Sequence, residues 1–244
     1  MKFRFLFLFV LKLSLVSTQV LDSMVVKQVD SLIKVSRAFT DKRDFDKALE
    51  INVAAEKLTL EKFGRKSSEF SSCCANYGRV YHHKADYQEA EKWYLEAKDI
   101  REKVLGRQHP KYCVVLNNLA IVYGDMGNYE KAERLYLEAY DIFDKVIGKE
   151  HPTYAIILNG LSTLYLALGR YEEAEHFCIE SKVLKEKSLG KEHPDYAICL
   201  NNLALIHEFM GNYKNVELNY LESKAIVEKV RGKEHPDYAN SLDL

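Results

Sequence analysis

The chain has 244 residues, with 35 Lys+Arg against 36 Asp+Glu and 47% hydrophobic residues. That apolar share is enough to bury a sizeable core, and it excludes disorder as the main state. A net charge of −1 excludes a protein whose main task is to hold a nucleic-acid backbone, and four prolines with eleven glycines exclude collagen-like and proline-rich classes.

At the N-terminus, residues 1–24 stand apart. Lys2 and Arg4 precede the apolar run Phe5–Leu11, giving the outline of a signal peptide, but Lys12 interrupts the run and no small-residue cleavage motif follows. The run is far short of the roughly 20 residues that span a bilayer, so no membrane span is expected. No Asn-x-Ser/Thr acceptor occurs anywhere in the chain. The five cysteines, Cys73, Cys74, Cys113, Cys178 and Cys199, form an odd set without a CxxC pair. Reduced, mostly buried thiols are therefore expected rather than a disulfide scaffold or a thiolate metal site. A cytoplasmic protein follows from these features, with secretion as the alternative.

From residue 25 onward the sequence repeats. His109-Pro110, His151-Pro152, His193-Pro194 and His235-Pro236 recur every 42 residues, as do Gly64, Gly106, Gly148, Gly190 and Gly232. Residues 109–150 and 193–234 share 22 of 42 positions, which only an internal repeat explains. The units are 25–66, 67–108, 109–150, 151–192 and 193–234. A partial unit or cap follows at 235–244.

Each unit divides into two helical patterns. In 109–150, helix A is predicted over about 110–125, with Leu116, Leu119, Ala120 and Tyr123 on one stripe of 3.6-residue period. Pro110 suits its first turn. Gly127 supplies the left-handed residue that ends helix A, and Asn128 can cap helix B. Helix B is predicted over about 129–146, packing through Tyr129, Ala132, Tyr136 and Ala139, and Gly148 stops it. The unit 25–66 is irregular, because Arg43 stands where the turn glycine is expected. The His-Pro histidines lie a full unit apart, so a structural role in the turn is expected for them.

The run Leu116-Asn117-Asn118-Leu119-Ala120-x-x-Tyr123-x-x-x-Gly127-x-Tyr129-x-x-Ala132-Glu133-x-x-Tyr136 resembles a tetratricopeptide repeat. The 42-residue period with Gly-x-x-His-Pro-x-Tyr between units is similar to the kinesin light chain and nephrocystin-3-like group, without the long coiled coil of kinesin light chains. The resemblance implies an all-α fold: a right-handed superhelical solenoid of antiparallel helix pairs over 25–244. It further implies a non-enzymatic adaptor whose concave groove, walled by helix A faces, binds a peptide segment of a protein partner.

Mapped on the repeat, the groove positions are Asn76, Arg79, Val114, Asn117, Asn118, Ile121, Asn159, Thr163, Ile198, Asn201, Asn202 and Leu205. An Asn amide both donates and accepts, so it can pair with an extended backbone whatever that segment's side chains. Asn76, Asn118 and Asn202 share one phase and are expected to touch the ligand. Gly160 breaks that series and is expected to open space. Asn117, Asn159 and Asn201 form a second ladder, with ligand contact and helix-to-helix bridging both open. Arg79 is the one cation of the set, so no carboxylate clamp is expected. An architectural, self-associating protein using its C-terminal end is the alternative function.

No phosphate-binding glycine loop, His-Glu-x-x-His, Gly-x-Ser-x-Gly or EF-hand pattern is present. The sequence thus predicts no enzyme activity, no cofactor, no metal and no nucleic-acid partner.

Overall fold

The computed structural model describes the backbone of residues 2–231 and the side chains of residues 21–230. The expected cap or partial unit at 235–244 and its proposed self-association lie outside these residues, as do the side chains of the signal-like 1–18 stretch. Among the described residues there are ten α-helices and no strand. None of those helices is long and apolar enough to cross a membrane.

The chain forms two compact units, Met1–Arg107 and Gln108–Leu244, divided at a repeat boundary. The first holds α1 (Lys2–Asp41), α2 (Phe45–Lys62), α3 (Ser68–His83) and α4 (Tyr87–Leu105). The second holds α5 (Pro110–Asp125), α6 (Tyr129–Ile142), α7 (Pro152–Ala167), α8 (Tyr171–Leu189), α9 (Pro194–Phe209) and α10 (Tyr213–Arg231). A π-helical turn, Phe143–Ile147, follows α6. Consecutive helices pack as A–B pairs, and in the second unit α5 also touches α7, and α7 touches α9. The α1 helix is continuous across residue 24, where the sequence pattern begins.

Local chemistry sets the helix ends. Three of the four His-Pro histidines take the structural role expected of them, and His235 lies outside the described residues. His109, His151 and His193 cap α5, α7 and α9, their Nδ1 atoms accepting from Lys111, Thr153 and Asp195 N–H at 3.1, 3.2 and 3.1 Å. The following proline takes the first helical turn, where its missing N–H is no loss. The A–B turn needs one left-handed residue. Gly127, Gly169 and Gly211 provide it, but Arg43 and Ala85 hold the same position at φ 62°. An L-residue there is strained by roughly 1–2 kcal/mol. Ala85 went unnoticed in the sequence because its unit otherwise keeps the pattern.

The core of each pair is the expected stripe. Leu116, Leu119, Ala120, Ala132 and Ala139 are fully buried, and the alanines let the two helices approach closely. The tyrosine of the His-Pro-x-Tyr motif ties helix A to helix B. Tyr112, Tyr154 and Tyr196 donate to Glu138, Glu180 and Glu222 at 3.0, 3.3 and 3.3 Å. A second tie crosses between units of the repeat: Tyr165 donates to Glu133 at 2.9 Å, and His207 pairs with Glu175 at 2.8 Å at the same phase. Buried groups thus find partners while the helices keep one register.

Candidate functional site

The three helix A elements of the second unit, α5, α7 and α9, leave apolar side chains uncovered. Ile156 is 53% exposed and Ile198 42%, and Ile121 and Leu205 are exposed beside them. These residues repeat at two phases of the 42-residue period, so the sequence pattern itself places them on one face.

Two recesses open under that face. The larger, about 430 Å³, lies between α5, α6 and α7 and is lined by Asn117, Ile121, Asp125, Tyr129, Tyr136, Ile156, Asn159, Gly160 and Thr163, with small residues between them. The smaller, about 290 Å³, lies between α9 and α10 and is lined by Ile198, Asn201, Asn202, Leu205, Tyr220 and Val227, with Pro194 and Ala197. Eight of the twelve groove residues read from the sequence therefore meet in these two recesses. Val114 and Asn118 are half-buried beside them and line neither.

The asparagines divide differently from the expectation. Asn76 is fully buried. Its Nδ2 donates to Ser36 Oγ at 2.8 Å and to Asn52 Oδ1 at 3.0 Å, and its Oδ1 accepts from Arg37 Nε at 3.3 Å. No group of Asn76 is left for a groove ligand, so this residue bridges α1, α2 and α3 instead. Asn118 Oδ1 accepts only a long 3.4 Å bond from Asn117 Nδ2. Asn202 Nδ2 donates to Asn159 Oδ1 at 2.8 Å, joining the two ladders across α7 and α9. Thr163 Oγ1 bonds back to Asn159 O at 3.0 Å within its own helix. The other ladder is where acceptors stay open: Asn117 Oδ1 and Asn201 Oδ1 are buried without a hydrogen-bond partner. A buried unpaired carbonyl costs about 1–3 kcal/mol, and each of these lines a recess.

Gly160 also departs from its expected role. A Cβ at that position would collide with the Tyr136 ring, so the missing side chain is replaced by the tyrosine of the preceding helix B rather than by open space. Tyr136 is buried, and its phenol is held well above the usual range, first by burial and then by the Asp125 carboxylate. Tyr129, expected in the packed face, is exposed at the rim. These two tyrosines and Asp125 are polar recess residues that the sequence reading left out, as is Tyr220 of the smaller recess. A signal was present: the helix B phase 52, 94, 136, 178 carries Asn, Tyr, Tyr, Cys, while the helix A phase 24 residues later carries Asn, Asn, Gly, Asn.

In the first unit, Arg79, the one cation of the predicted groove set, has other guanidinium groups nearby. It pairs with Asp41 at 2.8 Å, and with Arg37 and Arg101 it acts on Tyr94. Arg101 is buried, its Nε donates to Ser71 Oγ at 3.1 Å, and burial followed by Arg37 pulls its guanidinium pKa down to about 10. The Tyr94 ring lies against Gly78, where a Cβ would sit 2.7 Å away. Among the described residues no group of three His, Cys, Asp or Glu is placed to hold a metal ion.

Antiparallel helix pairs of one 42-residue design, with open recesses on the first-helix faces, define an α-helical repeat scaffold. The Tetratricopeptide repeat family model matches residues 71–145, 113–177 and 153–223. These matches span more than half of the chain, and the chain belongs to that family. Among solved structures it is similar to BtubC (BKLC) from P. vanneervenii, with a TM-score of 0.72, 20% identity, and coverage of 87% of this chain and 84% of that one. It is also similar to the nearly identical TPR-like repeats of a protein assigned as a kinesin light chain from Podospora anserina, with a TM-score of 0.65, 20% identity, and coverage of 84% and 98%. A Rap protein complexed with Competence and Sporulation Factor matches with a TM-score of 0.69 and 17% identity, over 81% of this chain and 53% of that one. At these identities the likeness is one of fold. No curated protein matches the sequence.

Proposed function

We propose that this chain is a non-enzymatic interaction adaptor that binds an extended segment of a protein partner along the helix A faces of α5, α7 and α9. The observation that carries the reading is the stripe of exposed Ile121, Ile156, Ile198 and Leu205 above two recesses that each contain an unpartnered asparagine carbonyl. Apolar side chains of the segment would bury against the stripe, at about 25 cal/mol per Å². Its main-chain N–H groups would satisfy the asparagine oxygens, giving affinity that depends little on sequence. The Rap protein solved with Competence and Sporulation Factor is a structure of the same fold with a bound factor.

The test is selection of binders from a random peptide display library on the full chain, followed by measurement on the double variant Ile156→Glu/Ile198→Glu. Both side chains are exposed, so the variant retains its helicity. Loss of most selected peptides supports the groove. Retention of all of them moves binding elsewhere on the molecule and refutes the proposal.

A further inference from the structure

We propose that the larger recess is a seat for a basic side chain, an arginine or lysine of the partner segment. This inference rests on the reading of α5, α7 and α9 as the binding face and names what the face selects.

The polarity of the recess is one-sided. Among its lining residues the only charged group is the carboxylate of Asp125, and no lysine or arginine is present. Asn117 is 5% exposed, and its Oδ1 has no hydrogen-bond partner. The Asn159 oxygen already accepts from Asn202, and Thr163 donates within its own helix. The Tyr129 and Tyr136 hydroxyls and the Asn159 amide N–H are neutral donors in the same lining, so the one charge that the recess offers a ligand is negative.

Three further features have the same sign. Asp125 closes the last turn of α5 and Ala167 the last turn of α7, so two helix C-termini, the negative ends of their dipoles, meet at this recess. Tyr129 and Tyr136 present rings that can take a cation over the face. The Asp125 carboxylate acts on the Tyr136 phenol, which puts charge and ring in the same place.

Length selects among donor-bearing side chains. Asn117 and Asp125 lie eight residues apart on α5, about 12 Å at the helical rise of about 1.5 Å per residue. A ligand that reaches both ends of this stretch needs two donors set well apart, as the main-chain N–H and the charged head of an arginine or lysine are. Its methylene stem would lie along Ala120, Ile121 and Gly160, where an aliphatic surface is already provided.

The experiment is an amide-resolved NMR titration of the full chain with four capped amino acids: N-acetyl-arginine, lysine, norleucine and glutamate methylamides. Saturable shifts at the Ala120, Gly124, Gly160 and Ala167 amides with the arginine and lysine probes are expected. Norleucine and glutamate should leave those amides unmoved, and Asp125→Asn should weaken the basic probes about fivefold. Equal shifts with norleucine would make the recess a plain apolar pocket and overturn the proposal. No shift with either basic probe at millimolar concentration would overturn it as well. The two readings separate in the display selection. Peptides that need the Ile156 and Ile198 face but tolerate alanine at every basic position would leave the adaptor reading standing and remove this one.

Discussion

The sharpest departure from the sequence reading is Asn76, and Asn76→Ala turns it into a measurement. The side chain is fully buried and joins three helices through bonds of 2.8 and 3.0 Å to Ser36 and Asn52 and 3.3 Å from Arg37. Ser36 in turn donates to Ala48 O at 2.7 Å, and Asn52 donates to Cys73 O at 3.1 Å, so the substitution strikes the centre of a connected network. Two good bonds are worth about 1 kcal/mol each, and the orphaned Asn52 oxygen adds part of the roughly 1–3 kcal/mol of an unsatisfied buried group. A loss of about 2–4 kcal/mol is expected. The single tryptophan, Trp93, lies in α4 and stacks on Tyr77 of α3 with ring centroids 4.5 Å apart. Its fluorescence in urea therefore reports on the packing of the first unit, where the network sits. Asn118→Ala, on α5 of the second unit and followed by circular dichroism in urea, is the comparison: its side chain accepts one long bond of 3.4 Å, and a shift of under about 0.5 kcal/mol is expected. An Asn76→Ala midpoint equal to the parent's would refute the network account and return Asn76 to a ligand-contact role.

Other predictions follow from the same geometry. Ala85→Gly should stabilise the chain by about 0.5–1 kcal/mol by relieving a φ of 62° at an exposed turn, whereas Gly127→Ala should destabilise it by a similar amount; paired urea midpoints check the opposite signs. Gly160→Ala forces the Tyr136 ring aside and should cost about 1–3 kcal/mol while narrowing the larger recess, and Tyr136→Cys combined with Gly160→Asn, the pairing present at Cys178 and Asn202, should restore stability in thermal melts. All five cysteines are buried, so a thiol-labelling reagent at neutral pH should react only after unfolding. Burial pushes Cys73 up to about 11 and Cys113 and Cys178 up to about 12, from 9.0. The unfolded state therefore loses these protons first, and stability should hold below about pH 8 and fall as the pH rises past about 9. Urea midpoints that stay level to pH 10 would contradict it.

The helix pairing was legible because spacing alone encodes it. A 42-residue period with His-Pro at one helix start and glycine at two helix ends leaves little freedom in where the helices lie. The apolar groove residues Ile121, Ile198 and Leu205 were legible for the same reason, since they share phases that cannot face the packed stripe. The asparagines were not, because neighbours on a helix point about 100° apart and both ladders keep the same period. What a position of one ladder can reach is set by the opposing residue on the preceding helix B. Asn52 captures Asn76 there, whereas the Tyr136 ring fills the place left by Gly160. Tyr129 and Asp125 were missed because a helix-turn residue reads as packing or capping until the recess beside it is seen. The Ala85 strain left no mark in the sequence beyond a missing glycine.

The account rests most on where a partner lies, and site-specific photo-crosslinking measures that directly. A benzophenone side chain would be placed singly at Ile156 and Ile198 on the recess face, and at the exposed positions Arg134 on α6 and Lys145 in the π-helical turn after it as controls. A peptide taken from the display selection, added to each protein, should crosslink from positions 156 and 198 and not from 134 or 145. Crosslinking confined to the α6 positions would contradict the central claim that the helix A faces of α5, α7 and α9 form the binding site.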